Sequence, residues 1–353
     1  KNDSAITITG YAESSNGNVS NHHSPGLIIE DVWVIQLNSL GHVIWNKCFG
    51  GTSIDVGHSI KLTYDNGYVF CGRTASNDGD VSGLHNNDED AWVAKIDSNA
   101  IIQWQKCIGG SQYDKANDVI QTLDSGYLVT GRTSSPDDGD ILGYHGGGGD
   151  VMVVKLNKQG TKQWVKVLGS SSVDDGVSCI QTTDGGFLIL GNAGSNNGDV
   201  TGLHNNSQDV WVVKLNYLGQ IEWQKCYGGS SNDFANKIIP SNDGGFYVSA
   251  TTYSNDYDVT GQHGSNDFWI FKADSIGTIQ WQKCLGGASF ESSKAANVTS
   301  DGGFILSGIA MTDNGMVSGT HGFDDCWVVK IDSIGNFEWG KALGGTGMDR
   351  AYS

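Results

Sequence analysis

Apolar and polar positions alternate in short runs along this chain. In Asp209-Val-Trp-Val-Val-Lys-Leu-Asn216, the residues Trp211, Val213 and Leu215 fall on one face of an extended strand. Successive strand side chains point to opposite faces, so this spacing puts one apolar row against a core. The stretch through Trp223 to Gly229 reads as the antiparallel partner, and 209–229 is predicted as a β-hairpin.

The hairpin recurs. Its second tryptophan returns as Trp45, Trp104, Trp164, Trp223, Trp281 and Trp339. Its first returns as Trp33, Trp92, Trp211, Trp269 and Trp327, with Met152 in the sixth place. Both series step by 59, 60, 59, 58 and 58 residues, and all eleven tryptophans belong to them. Periods of this size mark repeat architectures.

One repeat contains four strand signals, at 114–122, 127–133, 150–157 and 161–168. The first two are joined by Asp124-Ser-Gly126, whose counterparts include Asp65-Asn-Gly67 and Asp184-Gly-Gly186. Such turns supply the positive φ that a tight hairpin needs. A long polar loop, 134–149, separates the second strand from the third. Four antiparallel strands repeated six times predict an all-β fold, a six-bladed β-propeller forming a single domain over residues 1–353. The ends fit that scheme. Gly10 falls in the column of Gly72, Gly131, Gly191 and Gly308, so residues 5–12 read as a second strand. The C-terminal residues, from Gly344 through Asp349, match the start of a first strand and are expected to join the first blade and close the ring.

Composition agrees with many short strands: 51 glycines, three prolines and no long helical period. No apolar run reaches membrane-spanning length, so no membrane insertion is expected. The chain opens on Lys1-Asn-Asp3, which reads as a segment processed or excised from a larger chain. Net charge is −18, which disfavours nucleic acid and anionic membranes. Eleven of the 21 basic residues lie in two strand columns, one from Lys47 to Lys341 and one from Lys95 to Lys330. Their stems are expected to pack between sheets with the ammonium groups on nearby carboxylates. Four of the seven cysteines share a column with Val167 and Ala342, which marks a small apolar site. Buried thiols are expected, with no disulfide framework or zinc site.

The repeat pattern is Asp-x-Ala, Asp-Gly-Gly-Phe/Tyr, Gly-x-Thr, Asp-x-Trp-Val-Val-Lys-Leu-Asp and Gly-Gly. It resembles the SBBP-type bacterial propeller repeats over essentially the whole chain. The resemblance implies a propeller fold and a secreted or cell-surface bacterial origin, as in proteins of Bacteroidota. This chain departs in its longer period, near 59, and in six blades where the family pattern suggests seven.

The face carrying the Gly-Gly loops and the long loops is where a site is expected, because binding residues favour loops on a rigid scaffold. An acid opens each inner strand: Asp55, Asp114, Asp174, Asp233, Glu291 and Asp349. These either cap backbone N–H groups of their own loops or form a ligand-binding circle at the channel mouth. A second acidic column precedes each third strand: Asp31, Asp90, Asp150, Asp209, Asp267 and Asp325. The long loops add Gly-Asp-Val-x-Gly-x-His, as in Asp80 with His85. Asp78, Asp80, Asp140, Asp199 and Asp258 are the candidate calcium ligands, since calcium takes six to eight oxygens. Asx-turns that fold the loops are the competing reading.

Candidate groups arrive six at a time, whereas catalysis needs one acid, one base and one nucleophile in distinct roles. No Gly-x-Ser-x-Gly, His-Glu-x-x-His or phosphate loop is present. The expectation is a non-catalytic, secreted or cell-surface binding or display module, monomeric, acting in adhesion or glycan binding, with a protein or glycan partner. The alternative is a carbohydrate-active hydrolase or lyase working at the channel mouth.

Overall fold

The computed structural model describes residues 5–24, 26–86 and 88–350. Among them every regular element is a β-strand, and no helix is long and apolar enough to cross a membrane. The chain is an all-β propeller of six blades. It divides into two compact units, 1–169 and 170–353.

The first unit holds three sheets. They are β1 (Ile6–Ala12), β2 (Asp31–Leu37) and β3 (Val43–Phe49); β4 (Asp55–Leu62), β5 (Tyr68–Thr74), β6 (Asp90–Ile96) and β7 (Ile102–Ile108); and β8 (Asp114–Gln121), β9 (Tyr127–Thr133), β10 (Asp150–Leu156) and β11 (Lys162–Leu168). The second unit repeats the plan. It holds β12 (Asp175–Gln181), β13 (Phe187–Ala193), β14 (Asp209–Leu215) and β15 (Ile221–Tyr227); β16 (Asp233–Pro240), β17 (Phe246–Thr252), β18 (Asp267–Ala273) and β19 (Ile279–Leu285); and β20 (Glu291–Val298), β21 (Phe304–Ala310), β22 (Asp325–Ile331) and β23 (Phe337–Leu343). The four strands expected at 114–168 are β8 to β11, with boundaries moved by at most one residue.

Register follows the columns. Gly10 pairs with Trp33 as Gly72 pairs with Trp92, Gly191 with Trp211 and Gly308 with Trp327, so β1 is a second strand. The inner strands of the five four-stranded sheets bulge beside this column, for example between Gly57 and Ser59 and between Ala116 and Asp118. A bulge adds twist where it falls. The glycine opposite is required by closeness: a Cβ on Gly131 would stand 2.0 Å from the carbonyl oxygen of Lys115.

The first sheet, as described, differs from the expectation. It has three strands, and residues 344–350 are irregular; residues 351–353 lie outside the described residues. The stretch still keeps the local bonds of its column. Asp349 donates its N–H to Asp324 O at 2.6 Å, as Asp114 does to Glu89 O and Asp233 to Gln208 O, both at 2.7 Å.

Within each unit the core lies between successive sheets. Val32, Val34 and Phe49 pack against Phe70, Trp92 and Ile96; the other face of that second sheet, with Val69 and Val93, packs against Val119, Tyr127 and Met152. In the second unit Phe268, Ile270 and Leu285 meet Phe304, Leu306 and Trp327 in the same way. Trp92, Trp211, Trp269 and Trp327 are fully buried. Each removes roughly 200 Å² from water, about 5 kcal/mol as an upper estimate.

The second tryptophan column is less buried than its apolar setting suggests. Trp45, Trp104, Trp164, Trp223 and Trp281 are half-buried, and Trp339 is exposed. These residues stand on the outermost strand of each sheet, where cover comes from the next turn and, for Trp45, Trp104 and Trp223, from an aromatic ring of the following sheet. Gly160 packs on Trp104, and Gly335 on Trp281, at separations no Cβ could share.

The lysines of the third strands are locked. Lys95, Lys155, Lys214 and Lys330 are buried, and each ammonium donates to the carbonyl of the next residue. Each also meets the turn aspartate of its own sheet, at 3.1 Å for Lys95–Asp65 and 2.8 Å for Lys155–Asp124. Those aspartates in turn accept N–H and O–H groups of the hairpin. All seven cysteines are thiols, six of them buried and Cys326 half-buried. Burial pushes the Cys48 and Cys107 thiols up to about 12.

Candidate functional site

The loop face is built from two acids per blade. The inner acid sits at the start of the inner strand and caps the Gly-Gly loop just before it. Asp114 Oδ2 accepts the N–H of Gly110 at 2.8 Å and the hydroxyl of Ser135 at 2.8 Å. Asp55 Oδ2 accepts Gly51 N–H at 2.8 Å and Ser76 O–H at 2.9 Å, and Thr74 O–H reaches its other oxygen. Asp233 repeats this with Gly229, Ser254 and Thr252. Asp174 takes Ser170 N–H at 2.6 Å and Gly194 N–H at 3.0 Å; Glu291 takes Gly287 N–H at 2.8 Å; Asp349 takes Gly345 N–H at 2.7 Å. The first five carboxylates are closed off from solvent, and Asp349 is exposed.

The third-strand acid holds the long loop through a histidine. Oδ2 of Asp90 accepts both the backbone N–H of His85 at 2.9 Å and its Nδ1 at 2.8 Å. His23 binds Asp31 in the same way, His145 binds Asp150, His204 binds Asp209 and His263 binds Asp267. His321 keeps the backbone bond to Asp325 at 2.6 Å, with Nδ1 farther off at 3.6 Å. These six acids are fully buried.

The two acids of adjoining blades face one another across a glycine. A Cβ on Gly109 would lie 2.4 Å from Asp114 Oδ2 and 2.7 Å from Asp90 Oδ1. Gly286 stands likewise between Glu291 and Asp267, and Gly228 between Asp233 and Asp209. Among the described residues, the inward oxygens of Asp31, Asp90, Asp209 and Asp267 have no protein donor. Burial dominates the electrostatics of Asp90, Asp209 and Asp267. It pushes Asp55 and Asp90 up to about 6 and Glu291 to about 7, with the facing carboxylate adding to the rise. Asp114, Asp233 and Asp267 are raised for the same reason.

The candidate calcium ligands are spread over four loops. Asp78 accepts Thr52 N–H and O–H, each at 2.8 Å, and so ties its loop to the Gly-Gly turn. Asp80 donates its N–H to Gly50 O and lies 3.5 Å from His23 Nε2. Asp140 pairs with Lys162. Asp258 accepts Gly228 N–H at 3.3 Å and faces His204 at 3.9 Å; Asp199 is half-buried in the same column. Among the described residues, no three His, Cys, Asp or Glu side chains gather as a metal site.

No protein-family model matches the chain, and no curated protein matches it. Solved structures do. Hydrazine synthase of Kuenenia stuttgartiensis aligns over 88% of this chain and 75% of its own, at 12% identity and TM-score 0.50. A protein of unknown function from Bacteroides caccae aligns over 95% and 93%, at 11% identity and TM-score 0.47. The WD40 domain of Neurospora crassa Pan2 aligns over 82% and 66%, at 13% identity and TM-score 0.47. The fold is a β-propeller. At these identities the likeness speaks for the fold alone.

Sequence reasoning set the histidines beside the loop aspartates such as Asp80. The structure bonds the histidines to the third-strand acids of their own sheets, and Nε2 of His23 and of His204 lies near the loop aspartate of the following sheet, Asp80 and Asp258. The spacing carried that signal: His85, His145 and His204 each precede their acid by five residues, and His263 and His321 by four.

Proposed function

We propose that the chain is a secreted or cell-surface bacterial binding module of the SBBP-repeat kind, engaging a protein or glycan without chemistry on it. The observation that supports this is where the reactive groups are spent. The inner acids accept their own Gly-Gly loops, and the third-strand acids accept the histidines, so both columns stiffen the loop face. Among the polar side chains that those loops expose stand a few large apolar or aromatic ones, Ile28, Leu142, Tyr257 and Phe323. Rigid loops with exposed apolar side chains suit recognition, because little conformational entropy is lost on contact.

Two measurements on the same preparation test the reading. The protein is applied to a glycan and surface-protein array, and incubated with polysaccharides while new reducing ends are assayed. Retention without cleavage is expected. New reducing ends, or no retention on any surface, would overturn it.

A further inference from the structure

A groove of about 450 Å³ opens on the short-turn side of the second and third blades. Tyr64, Trp104, Gln103, Gln121, Lys158 and Gln159 line it, with the Lys95–Asp65 pair beside them. The repeat fails here in a directed way. The residue before the turn aspartate is Leu123, Thr183, Asn242 and Ser300 in the other hairpins, and an aromatic, Tyr64, only here. The matching place in the second short turn is Ser39, Ser98, Tyr217, Ser275 and Ser333 elsewhere, and charged, Lys158, only here. A sixfold scaffold gains a single ligand site by departures of this kind.

The groove is preorganised. Tyr64 donates its backbone N–H to Gln121 Oε1 at 2.7 Å, which ties the hairpin of one blade to the strand of the next. Tyr64 is 65% exposed, which leaves it accessible to a ligand. Trp104 is wedged between Gly160 and the edge of Tyr127, with ring centroids 5.2 Å apart. Around this aromatic floor stand the primary amides of Gln103 and Gln159, an amide carrying donors and an acceptor in one plane.

We propose that this groove binds an uncharged hexose oligosaccharide, with Tyr64 as the stacking platform and Gln103, Gln159 and Lys158 donating to sugar hydroxyls. Apolar sugar faces suit an aromatic plane, and their hydroxyls suit amides, while the volume is that of small-ligand sites. The Lys95 ammonium is already committed to Asp65 and to Ile96 O. Among the described residues lining the groove, Lys158 is the remaining cation, set against a chain net charge of −18, which disfavours a polyanion. This deepens the binding-module reading but places the sugar away from the long loops, so either claim can fail alone.

The test titrates the intact chain with cellohexaose, laminarihexaose, mannohexaose and the polyanion polygalacturonate, following tryptophan fluorescence and heat. At least one hexaose is expected to bind with a change in emission, since Trp104 lines the groove. Tyr64→Ala and Gln103→Ala should each weaken that binding about tenfold with an unchanged melting temperature, the shift expected from losing one good contact. Tyr217→Ala, an exposed aromatic at the matching turn of another sheet, should leave it unchanged. The proposal is overturned if no hexaose binds at millimolar concentration, if polygalacturonate alone binds, or if binding survives Tyr64→Ala. Hexaose binding that falls instead with Leu142→Ala, on a long loop, would keep the long-loop reading and remove the groove.

Discussion

His85 Nδ1 stands 2.8 Å from Oδ2 of Asp90, a carboxylate wholly removed from solvent. The pair closes the long loop onto its sheet, and the other oxygen of Asp90 points toward Gly109 and the acid of the next blade. Repetition of this arrangement gives the loop face its rigidity and its titration behaviour.

Gly109 is the tightest point of that joint. Alanine there would bring a Cβ within 2.4 Å of Asp114 Oδ2 and 2.7 Å of Asp90 Oδ1. Gly109→Ala is expected to destabilise by about 1–3 kcal/mol through overpacking. Denaturant melts measure it directly, and an unchanged midpoint would mean that the two carboxylates stand farther apart.

The turn aspartates give a second prediction. Asp124 is exposed, yet it meets the buried ammonium of Lys155 at 2.8 Å and accepts Gly126 N–H at 3.0 Å. Asp124→Ala leaves a buried ammonium short of an acceptor and opens the turn. A loss of about 1–2 kcal/mol is expected, more than the 0–1 kcal/mol of an ordinary surface pair. A loss below 0.5 kcal/mol or so would place Lys155 in water.

Calcium provides a third. The oxygens of Asp78 are engaged by Thr52, and Asp140 by Lys162. Melting temperature is expected to be the same in millimolar calcium and in chelator. A rise with calcium would reveal native-state binding by mass action, and Asp78→Asn and Asp80→Asn would then locate it.

Much of the fold was legible because the repeat multiplies each weak signal by six. The Trp211 column, the tight turn at Asp124 and the register of Gly10 each fixed one part of a blade. The site was less legible. An acid such as Asp114 reads alike in sequence whether it caps its own loop or faces a ligand, and the difference lies in Gly110 and Ser135, which only folding brings to it. The partial exposure of Trp104 was hidden for a similar reason: alternation assigns a face, but an outermost strand lacks a full neighbour on that face.

The most direct test of these joints is melting temperature against pH, in the wild type and in Asp90→Asn. Asp55 and Asp90 titrate at about 6 in the fold and Glu291 at about 7, all above ordinary carboxylates near 4. A raised folded pKa contributes stability that is complete below about 4 and is lost as pH climbs through 6 to 7. His23, also raised, acts in the same sense above its ordinary value. The wild type is therefore expected to melt several degrees higher at pH 5 than at pH 8. Asp90→Asn, which removes one buried charge and keeps the shape, should melt higher than wild type at pH 8 and narrow the gap between the two pH values. A wild type more stable at pH 8, or an Asp90→Asn protein that loses stability equally at both, would contradict the account.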